Sequence, residues 1–251
     1  MRRLIPDDGD ELLDELYTDL DIPAGGSRPH VYLDMIATAD GAASVGGRTR
    51  SMSGEADRLA FARLRETCDA ILVGANTVIV ENYGPPTLSD AATARRVTRG
   101  LAPVPTIVVV SAELRFDPAA RLFSDPDRRP TILTVEDAPA LRREALAEVA
   151  DVVTVGTHTV DLPAAMTHLR TMGIARLLCE GGPTLNAQLI AADLVDELFL
   201  TIAPVIAGAS PLRIVDGEIG STRGLTIVEA REHEGELLLR YAFRRASDGH
   251  P

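Results

Sequence analysis

The chain has 251 residues, 45% hydrophobic and 25% charged, with a formal net charge of −12. That is enough length and apolar content for one large packed domain, and the acidic balance argues against general nucleic-acid binding, which needs cations to neutralise phosphates. All 25 basic residues are arginine, which excludes Schiff-base and P-loop lysines, and no run of about 18 apolar residues offers a membrane span.

Residues 1–29 read as an acidic lead-in. Leu12, Leu13 and Leu16 fall at helical spacing in DDGDELLDELY, which predicts a short helix docked on the body. The start lacks an apolar core of secretory-leader length, so a cytoplasmic protein is expected. From His30 onward, β-branched runs alternate with helical patterns. HVYLDMI (30–36) predicts a strand, and SGEADRLAFARLRETC (53–68) a helix capped by Ser53. AILVG (70–74) predicts a strand followed by a helix start at Ala75. A short helix is expected at 90–97, then strands at 106–111 and 131–135, a helix at 138–149, a strand at 151–155 and a helix at 162–173. ARLLCE (175–180) and PTLNAQLIAADL (183–194) repeat the strand–helix unit. The tail changes character: 197–206, 224–233 and 235–245 read as strands with no long helix between, and HEGE (233–236) as a hairpin turn.

Such alternation implies a largely parallel central sheet with helices on its faces, extended by antiparallel C-terminal strands. Residues 30–251 read as a single domain. Cys68 and Cys179 each lie in an apolar stretch, as core thiols do. Two cysteines make neither a disulfide framework nor a zinc cluster, and no metal is expected.

Chemistry in an open α/β sheet collects beyond the carboxyl ends of the strands. Three strand ends carry glycine turns: ATADGAAS (37–44), VGANTV (73–78) and EGGPTLN (180–186). At VGANTV and EGGPTLN a helix begins directly after glycine, and amides at a helix start hold phosphate. Pro183 suits a first helical position. Asp40–Gly41 reads equally as a plain turn, and Glu180 either as an exposed carboxylate or as one facing a ligand cleft.

Together these segments resemble the reductase domain of bacterial riboflavin biosynthesis, which shares the dihydrofolate reductase fold. MSGEADRLAFARLRETCDAILVGANTV (52–78) and EGGPTLNAQLIAADLVDELFLTIAPVIAGA (180–209) carry the resemblance, with ATADGAAS at the first strand end. It implies an NADPH-dependent reductase of a phosphorylated ribosylamino-pyrimidine. Gly74, Asn76, Thr77, Gly181 and Gly182 are then expected along the cofactor diphosphate. Ala37 and Thr38 are expected beside the nicotinamide, and Ser111, with Arg115, at the adenosine 2′-phosphate. Asp40, Glu81 and Glu180 are expected at the substrate, with Asp40 and Glu180 as catalytic candidates. Asp57 and Arg65 read as an ion pair or cap on their helix. A homodimer is implied, with 164–169 or 197–206 as its apolar strip.

Departures from the family pattern fall on the substrate side. Ala42 stands where the family has lysine, and Glu81-Asn82-Tyr83 replaces an acidic Asp-Pro segment. Arg95, Arg96 and Arg99 form either a substitute phosphate site or a solvated face. The zinc deaminase motif that accompanies some family members is absent. Dihydrofolate reduction, or a non-catalytic NADP-binding or dimerisation module, remain as alternatives.

Overall fold

Aliphatic runs bounded by glycine or proline become the strands of one 11-stranded sheet in the computed structural model, which describes residues 1–6, 9–46, 49, 51–208 and 212–244. In chain order the strands are β1 (Arg2–Ile5), β2 (Gly9–Asp10), β3 (His30–Thr38), β4 (Ala70–Gly74), β5 (Thr106–Val110), β6 (Thr131–Thr134), β7 (Asp151–Thr154), β8 (Arg176–Cys179), β9 (Glu197–Ala203), β10 (Leu225–His233) and β11 (Glu236–Phe243). The helices are α1 (Glu55–Arg65), α2 (Ala75–Val80), α3 (Asp90–Thr98), α4 (Ala140–Ala147), α5 (Leu162–Thr171) and α6 (Pro183–Ala191).

Spatial order across the sheet is β2-β1-β10-β11-β9-β3-β8-β4-β5-β6-β7. From β9 through β7 every pairing is parallel, and β11, β10, β1 and β2 add antiparallel strands at the other edge. The expected mostly parallel sheet with antiparallel C-terminal strands is therefore found. β10 and β11 are joined by Glu234 and Gly235, both at positive φ, as a tight hairpin requires. Arg245, placed at the end of the last predicted strand, lies outside the described residues.

The lead-in differs from expectation. Only a 3₁₀ turn at Leu13–Glu15 is helical, and the segment instead contributes β1 and β2 to the sheet edge. Leu16, Tyr17 and Ile22 do dock on the body, buried with Tyr32, Phe199 and the Ala56–Ala60–Leu64 stripe of α1. That stripe, spaced by four, is one helix face, and it covers one side of the sheet. On the opposite side Val31, Leu33, Leu72 and Leu177 pack beneath α5 and α6. Successive residues of β3 thus face opposite layers, Tyr32 toward α1 and Leu33 toward α6.

Ser53 does not cap α1; Gly54 occupies that position. The orphan amides of Gly54 and Ala56 donate instead to the Glu236 carboxylate of β11, at 2.8 and 3.1 Å. Cys68 and Cys179 are fully buried free thiols, and burial pushes both up to about 12.

Candidate active site

Strands β3, β8 and β4 are neighbours, so the three glycine turns read in the sequence come together at one end of the sheet. The Gly74 amide donates to the Gly181 carbonyl at 2.8 Å, tying the β4 and β8 ends. Gly181 sits at φ +90°, a conformation side chains rarely adopt, and its peptide bond to Gly182 is cis. A Cβ at Gly74 would lie 3.3 Å from the Gly182 nitrogen, and one at Gly182 only 2.6 Å from Thr77 Oγ1.

Directly over this crossing lies a groove of about 260 Å³. Gly74, Asn76 and Thr77 line one wall, Gly182, Thr184 and Gln188 the other, with Val110, Ala112 and Thr159 at its end. The first turns of α2 and α6 both open into it, and first-turn amides lack intrahelical acceptors. Four of the expected cofactor residues, Gly74, Asn76, Thr77 and Gly182, thus share the groove. Gly181 lies at the crossing, where a Cβ would meet Met35. Ser111 is beside the groove but 5% exposed, and its Oγ accepts from the Leu114 amide at 3.0 Å. Arg115 pairs with Glu113 in an exposed position.

At the end of β3, Ala37 and Thr38 are buried. Thr38 Oγ1 donates to Asp40 at 2.5 Å and accepts from the Ala42 amide at 2.9 Å. The Asp40 carboxylate also accepts from the amides of Ala207 and Gly208, at 3.1 and 2.8 Å. These bonds, Thr38's foremost, hold its pKa down to about 2. Asp40 is therefore an exposed, ionised anchor for the loop after β9.

Glu180 is neither exposed nor poised alone. Arg65 Nε and Nη2 each donate to it at 2.7 Å, and the Tyr83 hydroxyl adds a third bond at 2.5 Å. Arg65 also lies over the Phe61 ring, 4.1 Å from its centroid. The expected partner of Arg65, Asp57, bonds the Ser53 hydroxyl instead. Burial, then the Glu180 carboxylate, drives the Tyr83 phenol well above its ordinary value. Tyr83 was named in the sequence only within a segment that departs from the family pattern, with no role of its own; its signal is one aromatic ahead of a Gly-Pro-Pro turn. Glu81, expected at the substrate, is exposed at the end of α2.

Arg95 and Arg96 of α3 and Arg99 just after it are each engaged within the chain rather than gathered into one site. Arg95 pairs with Glu66, and Arg99 donates to the Thr18 carbonyl. Arg96 is fully buried and donates to the carbonyls of Ala102, Arg65 and Cys68 at 2.7 to 2.8 Å.

The sheet order, the glycine crossing and the twin helix starts define an α/β protein with a glycine-lined groove at its strand ends. Residues 29–239 match the family model described as the RibD C-terminal domain, and the chain belongs to that family. It is 40% identical over 193 residues to the 2,5-diamino-6-ribosylamino-4(3H)-pyrimidinone 5′-phosphate reductase of Methanothermobacter thermautotrophicus, covering 76% of this chain and 85% of that one. It is 31% identical to the riboflavin biosynthesis protein RibD of Mycobacterium tuberculosis over 75% of this chain and 45% of that one. Among solved structures, a pyrimidine reductase-like protein from Corynebacterium diphtheriae superposes with a TM-score of 0.83 at 27% identity, covering 94% of this chain and all of that one. The fold is dihydrofolate-reductase-like, and the chain is a reductase of the riboflavin-biosynthesis class. Reductases of this family imply a nicotinamide cofactor.

Proposed function

We propose that this chain is an NADPH-dependent reductase of a phosphorylated ribosylamino-pyrimidine, the substrate that its relatives' names give, and that it acts on the ribosylamino group. The observation that carries this reading is the groove over the Gly74–Gly182 crossing, where the main chain packs too closely to admit a side chain at either glycine and two helix starts face one open space. Amides opening the nine-residue α6, together with those of Ala75 to Thr77, favour an anion there. Ser111 flanks the end of the groove at which a 2′-phosphate would lie, and Ala37 and Thr38 serve as the packed floor beside the ring. The cofactor, when bound, supplies the hydride.

The chain's own part is positioning. Reduction of the opened ribosylamine in its imine form takes a hydride at carbon and a proton at nitrogen. Ionised Asp40 accepts hydrogen bonds and is not the proton donor; it fixes the 205–208 loop at the strand mouth. The Arg65–Glu180–Tyr83 cluster makes a rigid wall on the α1 side, which keeps the reacting atoms aligned. Arg213, whose guanidinium lies beside Gly41 at the same mouth, is the described cation best placed for the substrate phosphate. Glu81 borders the approach from solvent.

Residues 30–251 are taken as one reductase domain with 1–29 as its flank, working in the cytoplasm as a homodimer. Ala165, Met166 and Leu169 are fully buried, so the 164–169 strip is occupied within the chain. Exposed Val205 and Ile206 leave the end of the 197–206 strip for a second copy.

The test is to give the purified chain NADPH with the diamino pyrimidine phosphate, its deaminated form, or dihydrofolate, and to follow loss of reduced-nicotinamide absorbance. Oxidation with either pyrimidine is expected. Turnover with dihydrofolate alone would reverse the reading, and tight NADPH binding with no turnover on any of them would favour a non-catalytic module.

A further inference from the structure

Between β9 and β10 the described residues form no strand or helix, so the 212–217 segment is held by individual bonds. The Leu212 carbonyl accepts from the Ala43 amide at 2.9 Å, and the Asp216 amide donates to the Pro183 carbonyl at 3.1 Å. Between these two ties, Asn186 of α6 donates from Nδ2 to the Ile214 carbonyl at 2.7 Å. The same Nδ2 donates to Met35 Sδ of β3 at 3.0 Å, and Asn186 Oδ1 accepts from Cys179 Sγ of β8 at 3.5 Å. Asn186 is fully buried, and these three bonds occupy both of its donors and its acceptor. The Ile214 carbonyl fixes which way the amide points, because only the NH2 group can face a carbonyl. One side chain thus joins β3 and β8 to a segment that has no ladder of its own.

Arg213 directly precedes the clamped carbonyl. Its side chain is exposed, and its Nη1 lies 3.7 Å from where a Gly41 Cβ would stand. A guanidinium meets phosphate through a planar fork, so the backbone beneath it has to be held in one place. We propose that Asn186 is a positioning residue for the substrate phosphate: by clamping the Ile214 carbonyl it keeps Arg213 at the mouth beside Gly41. Asn186 does not itself line the groove. The inference rests on the pyrimidine phosphate reading above and extends it to what aligns the phosphate-binding arginine.

The test compares KM for the phosphorylated pyrimidine with KM for the same pyrimidine lacking its phosphate. Wild type, Asn186→Ala, Arg213→Ala and the double variant are measured. Arg213→Ala should raise the first KM about tenfold or more, the effect of losing a charged hydrogen bond, and leave the second within a few-fold. Asn186→Ala should give the same split, with NADPH affinity by calorimetric titration within a few-fold of wild type. The double variant should be no worse than Arg213→Ala, because the two residues act through one contact. Asn186→Ala overturns the proposal if it keeps the wild-type KM for the phosphorylated form, raises both KM values alike or loses NADPH affinity. A double variant whose effects multiply overturns it too. If Asn186→Ala fails to fold, Gly217→Ala decides: its Cβ would stand 3.0 Å from that of Ala187, pushing the same segment off α6 from the solvent side. A rise confined to the phosphorylated form upholds the proposal, and an equal rise or none overturns it. A wild-type chain that reduces neither form sinks the reductase reading and this inference together. Phosphate preference kept in Arg213→Ala removes the arginine's role and this inference with it; preference lost there but kept in Asn186→Ala sinks only this one.

Discussion

Replacing Arg65 by methionine keeps most of its stem on Phe61 but removes the guanidinium from Glu180. The Glu180 side chain is 2% exposed, so solvent cannot replace the two lost bonds. Tyr83 remains as a single donor. Breaking a buried pair from one side generally destabilises by about 3–5 kcal/mol, because the charge left behind is uncompensated. A chain of this length has an unfolding entropy of about 0.5 kcal/mol/K, so the melting temperature should fall by about 6–10 °C. The Arg65→Met, Glu180→Leu double variant should recover most of that loss, since no charge is then stranded. Differential scanning calorimetry of the two single variants and the double completes the cycle. A single variant melting within about 2 °C of wild type, or a double variant whose losses simply add, would refute the cluster as a coupled unit.

Gly74→Val should weaken NADPH binding by about tenfold or more in a chain that keeps its circular dichroism, since the side chain would push on Gly182 and Leu185, which line the groove; unchanged affinity by calorimetric titration would remove the proposed cofactor site. Asp40→Ala should speed hydrogen exchange at the Ala207 and Gly208 amides. In wild type the carboxylate is depressed, so its anchoring is present above the unfolded Asp value of about 4 and is lost only as pH falls through about 2. Equal exchange rates at neutral pH would return Asp40 to a passive turn. Asp34 titrates in the opposite sense. Its folded pKa is raised, so stability falls as pH climbs from the unfolded value toward the folded one. Asp34→Asn should therefore melt higher than wild type at neutral pH, with the gap closing below about pH 4. Arg96→Leu should lower stability by about 3 kcal/mol, because one buried and two partly buried carbonyls lose their donor; a shift under about 1 kcal/mol in denaturant melts contradicts that role.

Most of the sheet was legible because its strands are local aliphatic runs and its helices carry one apolar stripe. The glycine turns were legible for the same reason: Gly74 and Gly181 mark strand–helix junctions within a few residues of sequence. The edge strands β1 and β2 were not. Each is four residues or fewer, and β1 forms by pairing Arg2 with Glu232, a contact no local pattern announces. The lead-in leucines fall at helical spacing, yet Leu16 and Tyr17 are drawn into a core shared with Phe199. Side-chain roles suffered likewise. Arg65 and Glu180 are 115 positions apart, so a helix-internal partner for Arg65 was the natural reading. Asp34 was not singled out, although it is the one carboxylate inside the HVYLDMI strand. Its meaning depends on which charges surround it, and those come from α1, β8 and the lead-in.

Glu236 of β11 reaches back to close the start of α1, with separations of 182 and 180 residues. The helix that delivers Arg65 is thus finished by a hairpin made long after the helix itself. Its first turn has to wait, frayed, until that hairpin emerges, and nascent chains stalled before β10 should present α1 to proteases. The α1 wall is in this sense closed from a distance: a chain that has not yet made β11 leaves the helix carrying the arginine without its cap.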